Sequence, residues 1–383
     1  MRFDLAEASG ALGDLGTFVP IVVSLVAVCH LDIGSILLFA GLYNIITGIL
    51  FNQPVPVQPM KAIAAVAIAE TLSQGSIAAA GLGAGAVVFL LGVTGLVGVI
   101  ERLIPHAVVR GIQLGVGLKL LVKGLSMIHS SVRVEQGAWA IALSGAGFIL
   151  LTARWKRFPS ALILFSGGLV LLFFTLPHHF SDLPVGWAGL SRSIPNLSEW
   201  ETGVLRGTLP QVPLTLLNSV IAVCALSGDL YPNRGVGVRP MAISVGLMNL
   251  IGCWFGAMPM CHGSGGLAGQ HRFGARTGGS VVMLGVAKVG IGLMLGSSAA
   301  FLLNAFPAAI LGVLLCFAGA ELALPARDST SRDEFFLAAL TAGGCLGMNT
   351  ALGFGIGMAA ASFLAFSGKN SDRSGATSNS GEN

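Results

Sequence analysis

Twelve apolar runs that approach or reach the length of a membrane-spanning helix dominate the chain, and most of the charge lies between them. A spanning helix needs about 20 largely apolar residues. Only 10% of the 383 residues are charged, against about 25% in a soluble protein. The sequence therefore predicts an all-α polytopic membrane protein. The runs lie at 15–30, 33–51, 78–100, 105–127, 137–153, 159–176, 208–228, 238–256, 279–302, 307–324, 333–349 and 350–367.

Composition and residue pattern exclude several other protein classes. The 54 glycines show no Gly-X-Y period, so the chain is not a collagen. The six cysteines are scattered without a CxxC pair, and they predict neither a disulfide framework nor a zinc site. The net charge of +4 comes from basic residues between apolar runs, which indicates membrane orientation rather than nucleic-acid binding. We expect no cofactor.

Two further segments, at 59–72 and 263–274, are too short or too rich in glycine to span a membrane. They are the third and tenth of fourteen segments in chain order, and each follows an extended stretch that contains proline. Proline suits the first position of a helix. We therefore expect two half-helices, the first starting at Pro59 and the second near His262.

Proline landmarks recur in the same order in the two halves of the chain. This recurrence predicts two seven-segment repeats, at 1–180 and 207–367, joined by an extracytoplasmic linker at 181–206. We expect residues 368–383, which are rich in Ser, Gly and Asn, to form a disordered cytoplasmic tail. The landmark pairs are 200, 202 and 193 residues apart: Pro59 with Pro259, Pro105 with Pro307, and Pro20 with Pro213.

The distribution of basic residues predicts the orientation in the membrane. Seven is an odd number, so tandem repeats of seven segments have opposite topologies. With both termini in the cytoplasm, thirteen basic residues lie inside and three or four outside, as the positive-inside rule requires. We expect a multi-pass protein of the cell membrane. The inside residues are Arg2, Arg102, Arg154, Lys156, Arg157, Arg234, Arg239, Arg272, Arg276, Arg327, Arg332, Lys369 and Arg373.

Inverted repeats with a broken helix in each half are typical of secondary transporters that bind substrate near the membrane midplane. The N-terminus of a helix carries unpaired N–H groups and roughly half a positive charge, so two such ends facing each other favour an anion. In the first half-helix, Gln58 can donate its amide to a ligand. Lys61 lies in the first turn, where it either attracts an anion or pairs with an acid.

The second half-helix opens with a run of small residues. Gly263 and Gly265 allow backbone N–H groups to approach an oxyanion, and Ser264 adds a hydroxyl; helix packing is the alternative role of these glycines. His262 either donates to the anion, carries a proton, or bonds to the backbone. A nucleotide-binding loop is excluded because no βαβ pattern surrounds the run.

Segments one and eight supply further candidates beside the half-helices. Thr17 precedes Pro20, and Asn218 and Ser219 interrupt an apolar helix, where they either line a cavity or bond to a neighbouring helix. Asp14 and Asp229, together with His262, are candidate proton carriers. Both aspartates have interfacial capping as an alternative role.

Three motifs closely resemble the molybdate transporter family, which is related to the sulfate permeases. They are GDLGTFVPI at 13–21, PVPVQPMKAIAA at 54–65 and PMCHGSGGLAGQHRFGAR at 259–276. The resemblance implies the fold of the sulfate and uracil permeases, with fourteen segments in two repeats of seven. In that fold, segments 1–4 and 8–11 form a core domain, and segments 5–7 and 12–14 form a gate domain. Substrate lies between segments 3 and 10, next to 1 and 8.

The residues and the resemblance together predict a secondary transporter, not an enzyme, that imports molybdate by alternating access. A sulfate or other divalent oxyanion permease is the alternative, since both ions are tetrahedral dianions. A nucleobase permease is disfavoured because segments eight and ten carry no carboxylate in mid-segment. The expected partners are molybdate, the lipid bilayer, protons as coupling ion and a second copy in a homodimer, but no nucleic acid.

Overall fold

The computed structural model describes residues 1–131, 137–155, 158–175, 186, 189–190, 192–296 and 298–378. Helices account for nearly all of the regular structure. The first half contains α1 (Leu5–Ala11), α2 (Leu15–Cys29), α3 (Ile33–Phe51), α4 (Lys61–Glu70), α5 (Gln74–Thr94), α6 (Leu96–Leu103), α7 (His106–Ser131), α8 (Ala138–Thr152) and α9 (Ser160–Thr175).

The second half repeats this order. It contains α10 (Leu197–Thr202), α11 (Leu209–Leu214), α12 (Ala222–Leu230), α13 (Val238–Gly252), α14 (Ser264–Arg272), α15 (Gly279–Leu295), α16 (Ser298–Ala305), α17 (Ala308–Ala323), α18 (Arg332–Gly347) and α19 (Thr350–Ser378). Three-residue strands precede the half-helices: β1 (Val57–Pro59) before α4 and β2 (Met260–His262) before α14.

Each of the fourteen predicted segments overlaps a helix, which confirms the all-α polytopic prediction. Among the described residues, seven helical stretches are long and apolar enough to cross a membrane. The last helix continues to Ser378, beyond the predicted end at 367. Most of 181–191 and all of 379–383 lie outside the described residues. The seven stretches are Leu5–Cys29, Ile33–Phe51, Gln74–Thr94, His106–Ser131, Leu197–Leu230, Val238–Phe255 and Ala308–Asp328.

Two predicted segments each contain a pair of helices. The run at 78–100 breaks at Gly95, whose φ is +78°, and the run at 279–302 breaks at Gly296, whose φ is +50°. Glycine adopts this left-handed conformation at little steric cost and ends helices for that reason. Hydropathy alone could not show the break, because the residues on both sides are apolar.

The predicted starts of the half-helices were wrong by about two residues. Helix α4 begins at Lys61 rather than Pro59, and α14 begins at Ser264 rather than near His262. The reason is that the residues before each helix pair with each other as an antiparallel ribbon, with Gln58 opposite Cys261. The ribbon joins the two repeats directly in front of both half-helices.

Helices from the first half of the chain pack against helices from the second half. The most extensive contacts join α3 to α15, α5 to α13 and α7 to α17. Glycines allow this close approach: a Cβ on Gly41 would lie 2.6 Å from the carbonyl oxygen of Gly285. A Cβ on Gly117 would lie 2.6 Å from that of Gly319. Small residues at helix crossings are the usual means of packing helices in lipid.

Segment eight is part of one long helix, Leu197–Leu230, with two π-helical stretches. This long helix therefore begins at Leu197, within the linker expected at 181–206. Pro213 lacks an N–H and crowds the preceding turn, and the second π-helical stretch, Thr215–Ile221, follows directly. Turns of this kind are frequent at functional sites. Both Asn218 and Ser219 lie within it.

Candidate functional site

The β1–β2 ribbon is held by one asparagine from each repeat. The Asn44 side chain accepts a hydrogen bond from Val57 N at 2.7 Å. Asn249 accepts one from Met260 N at 2.8 Å and donates to Met260 O at 2.6 Å. Both asparagines are buried on helices that pack behind the ribbon. These bonds fix the position from which each half-helix starts.

The two faces of the ribbon have different surroundings. Gln58 and Cys261 oppose each other, as do Val57 and His262, and successive side chains of a strand point to opposite faces. The His262 ring lies 3.0 Å from Ser244 Oγ and 3.4 Å from Pro56 O. It therefore lies on the face away from Gln58, and it is fully buried against the Ser244 hydroxyl, the Pro56 carbonyl and the Phe51 ring.

Gln58 forms the centre of a buried polar cluster. Its Nε2 donates to Asp14 Oδ1, and both side chains are 1% exposed. Within the described residues, Asp14 Oδ2 and Gln58 Oε1 have no hydrogen-bond partner. A Cβ on Gly263 would lie 1.8 Å from Gln58 Oε1. Glycine is therefore required at the start of α14 for Gln58 to occupy this place.

Two lysines, Lys288 and Lys61, lie near enough to Asp14 to interact with its carboxylate. Lys288 Nζ is buried, lies 3.6 Å from the centre of the Phe18 ring and has no hydrogen-bond partner in the described part of the chain. Lys61 is the first residue of α4, so it lies in the first turn of the half-helix, as predicted. The sequence showed Lys288 only as a basic residue inside an apolar run, so its place beside the cluster was missed.

The N-terminus of α14 presents free backbone donors. No partner of the Ser264 and Gly265 N–H groups is found among the described residues. The Ser264 hydroxyl donates to Asn218 Oδ1 at 2.7 Å. A Cβ on Gly265 would lie 2.4 Å from Leu120 Cδ1, so this end of α14 abuts helix α7.

The N-terminus of α4 is occupied by a side chain from segment eight. Gln211 Oε1 accepts hydrogen bonds from Ala62 N at 2.9 Å and Ile63 N at 3.2 Å. Its Nε2 donates to Thr215 Oγ1 at 2.8 Å. Gln211 and Thr215 were not predicted as site residues. The sequence did contain a signal for them, because positions 211, 215 and 218 are polar and have the spacing of one helix face.

The remaining predicted residues differ in how close they lie to this cluster. Ser219 Oγ donates to Cys261 Sγ at 3.2 Å, which connects segment eight to the ribbon. Thr17 lies one turn after Asp14 and is buried. Asp229 lies elsewhere, paired with Arg110 of α7 through two hydrogen bonds. Among the described residues, no three His, Cys, Asp or Glu side chains form a group that could hold a metal ion.

Solved structures show the same fold. The transmembrane domain of a cyanobacterium bicarbonate transporter BicA aligns with a TM-score of 0.57 and 14% identity, over 93% of this chain and 98% of that one. Murine Slc26a9, an anion transporter in its inward-facing state, aligns with a TM-score of 0.63 and 13% identity, over 95% of this chain and 69% of that one. The sulfate permease-like fold predicted from the sequence is thus confirmed.

Sequence relatives extend over almost the whole chain. Molybdate transporter 2 of Arabidopsis thaliana is 44% identical, over 92% of this chain and 86% of its own length. Molybdate transporter 1 of Chlamydomonas reinhardtii is 34% identical, over 92% and 90%. A family model described as "Molybdate transporter of MFS superfamily" matches residues 6–120 and 203–322. The two matched blocks contain the two half-helices and their ribbon, and the chain belongs to the molybdate transporter family.

Proposed function

We propose that this protein is a secondary active transporter that imports molybdate by alternating access, with the oxyanion bound between the N-termini of α4 and α14. The observation that carries this proposal is the pair of free N–H groups at Ser264 and Gly265, which face a buried cluster of polar side chains. The proteins named molybdate transporters that match most of this chain support molybdate as the oxyanion.

Most of the predicted site residues have a role in this proposal, and His262, on the opposite face of the ribbon, has none. The Ser264 hydroxyl and the backbone of Gly263 and Gly265 donate to the oxyanion. Asn218 orients Ser264, while Ser219 holds the ribbon through Cys261. Thr17 supplies a further hydroxyl from segment one.

The formal charges of the cluster suit a dianion that enters together with a proton. Lys61 and Lys288 carry two positive charges, and ionised Asp14 removes one of them. Protonation of Asp14 restores a charge of +2, equal and opposite to that of molybdate. The proton can reside on Asp14 Oδ2, which has no partner among the described residues. It makes Oδ1 a weaker acceptor, so the Gln58 amide is held less tightly and can turn to the oxyanion at lower cost. Asp14 is therefore the coupling residue of this proposal.

The other two candidate proton carriers fit this role less well. His262 lies on the opposite face of the ribbon, against Ser244 and Pro56. Asp229 is bound to Arg110, which also lies 3.9 Å from Asp328. Asp229 belongs to segment eight of the core domain, and Arg110 and Asp328 belong to segments 5 and 12 of the gate domain. This ion pair therefore joins the two domains that move in alternating access.

Uptake of labelled molybdate into proteoliposomes tests the transport proposal. We expect saturable uptake at micromolar molybdate, little inhibition by an equal concentration of sulfate, and stimulation by unlabelled molybdate on the opposite side. The last result is expected of a carrier and not of a channel. Uptake of sulfate without uptake of molybdate would instead support the divalent-oxyanion alternative. Crosslinking in the bilayer tests the proposed homodimer, and accessibility labelling of the termini tests their proposed cytoplasmic location in the cell membrane.

The Asp14→Asn variant tests proton coupling. Asparagine keeps the shape of the side chain but does not gain or lose a proton at any pH at which transport is measured. We expect uptake by this variant to ignore an imposed pH gradient, whereas uptake by the wild type increases when the outside is acidic. Wild-type uptake that ignores the gradient would remove Asp14 and proton coupling from the proposal.

A further inference from the structure

Gln211 occupies the place at α4 that an oxyanion would take. Its Oε1 accepts from Ala62 N and Ile63 N, which are two of the N–H groups left unpaired at the start of a helix. Gln211 is 1% exposed, and its Nε2 is held by Thr215. Both ends of the amide are thus fixed by partners on α4 and on its own helix. The corresponding N–H groups of α14 have no such cap among the described residues.

We infer that Gln211 is a displaceable cap that makes the site select dianions over monoanions of the same shape. The inference rests on the proposed function, because it assumes that the oxyanion binds between the half-helices. It assigns selectivity to a residue of segment eight whose side chain faces α4 rather than Ser264. The ligand class is a tetrahedral oxyanion with two negative charges.

Displacement of the cap is a competition between acceptors for the same N–H groups. To bind α4, an oxyanion must replace the amide oxygen of Gln211, which costs two neutral hydrogen bonds of about 1 kcal/mol each. Hydrogen bonds to an ionised acceptor are roughly twice as strong as neutral ones. Spread over four oxygens, two charges make each oxygen a stronger acceptor than one charge does. A dianion therefore displaces the amide more readily than a monoanion of equal size. The cost of displacement itself is the same for both ions and lowers both affinities without changing their ratio.

Displacement also changes what Gln211 offers to the ligand. Once Oε1 leaves α4, rotation of the side chain can turn Nε2 from Thr215 towards the bound ion. The same residue then changes from a competitor into a donor. This new bond is the part of the Gln211 effect that discriminates between the ions, because the gain from a charge-assisted bond grows with the charge on the acceptor.

Tungstate and perrhenate are suitable probes, since both are tetrahedral oxyanions and they carry two charges and one charge respectively. Each is tested as an inhibitor of labelled molybdate uptake in proteoliposomes, for the wild type and for Gln211→Met. Methionine keeps the length of the side chain but removes the amide. We expect the ratio of the perrhenate to the tungstate inhibition constant to fall about tenfold in the variant. An unchanged ratio would overturn the inference.

Two further variants separate selectivity from stability. Gln53→Met removes a different buried glutamine, one that binds Ser227 and the backbone of Arg234; it should lower the melting temperature and leave the ratio unchanged. Thr215→Val removes only the acceptor for Nε2, so both ions displace the cap at lower cost and both inhibition constants should fall by about the same factor. This keeps the inference testable if Gln211→Met does not fold. Inhibition constants that stay at the wild-type values in Thr215→Val count against the cap. Absence of molybdate uptake by the wild type contradicts the proposed function instead.

Discussion

The two half-helices occupy equivalent places in the repeats but differ in chemistry. Helix α4 begins with a lysine, continues with alanines and isoleucines, and has its first N–H groups capped by Gln211. Helix α14 begins with Ser-Gly-Gly, is buried from Ser264 to Gln270, and has uncapped N–H groups in the described structure. In the proposed binding site, α4 supplies charge and α14 supplies backbone donors.

This difference shows how two half-helices that are held in the same way can form a proposed site whose two sides differ in chemistry. The β1–β2 ribbon fixes both helix starts in the same way, and an asparagine behind each strand holds it. Because the scaffold is equivalent on both sides, the contribution of each half-helix depends on the few side chains at its start. Substitutions at these positions should therefore have unequal effects in the two repeats.

The largest effect is expected at Gly263. In Gly263→Ala the new Cβ would lie 1.8 Å from Gln58 Oε1, so Gln58 must leave its place beside Asp14. Displacement of a positioning group by an ångström costs about a hundredfold in the best-studied enzyme sites, and we expect a loss of that order in molybdate uptake. Gly98→Ala is the matched control, because a Cβ there meets nothing within 4 Å. Near-normal uptake by Gly263→Ala would contradict the proposed role of Gln58.

A smaller effect is expected at Lys61, on the other half-helix. Lys61→Met removes one positive charge and should raise the apparent KM about thirtyfold, equivalent to about 2 kcal/mol. Lys61→Arg keeps the charge and should recover most of the affinity. The exposed Lys123 provides the control Lys123→Met. Equal KM values for Lys61→Met and the wild type would contradict a contribution of the α4 charge to binding.

At Ser264 we expect a still smaller effect, because the backbone donors of α14 remain. Ser264→Ala removes one hydroxyl, worth about 1 kcal/mol, and should raise the apparent KM about fivefold. Asn218→Ala should have a similar or smaller effect, since Asn218 acts by orienting that hydroxyl. If Ser264→Ala raises the KM more than Lys61→Met does, the assignment of charge to α4 and backbone donors to α14 is wrong.

The sequence was sufficient for the architecture and for the family. Apolar runs predicted a helix at each of the fourteen places, and the motifs around Gln58 and Ser264 carry the family. The ribbon could not be predicted, since Pro59 fits a helix start as well as a strand end. The face of the ribbon on which His262 lies could not be predicted either, because it depends on the pairing register of β2.

Residues joined only by the packing of distant segments were the hardest to predict. Lys288 and Asp14 are on different segments, and only the fold brings Lys288 to the Phe18 ring beside the cluster. Gln211 is 149 residues from Ala62, whose N–H it caps. Asp229 was predicted as a proton carrier or an interfacial cap at a helix end, whereas tertiary structure pairs it with Arg110. In each case the missing information was a contact between elements and not a property of one element.

The smallest predicted effect concerns the two asparagines behind the ribbon. Asn249→Ala leaves both the N–H and the carbonyl of Met260 unpaired, whereas Asn44→Ala leaves only the Val57 N–H unpaired. A buried group left without its partner costs about 1–3 kcal/mol. Asn249→Ala should therefore lower the melting temperature in detergent about twice as much as Asn44→Ala does. Each variant serves as the control for the other. Equal decreases in melting temperature would mean that the second bond to Met260 adds no stability and that the two strands are held equally.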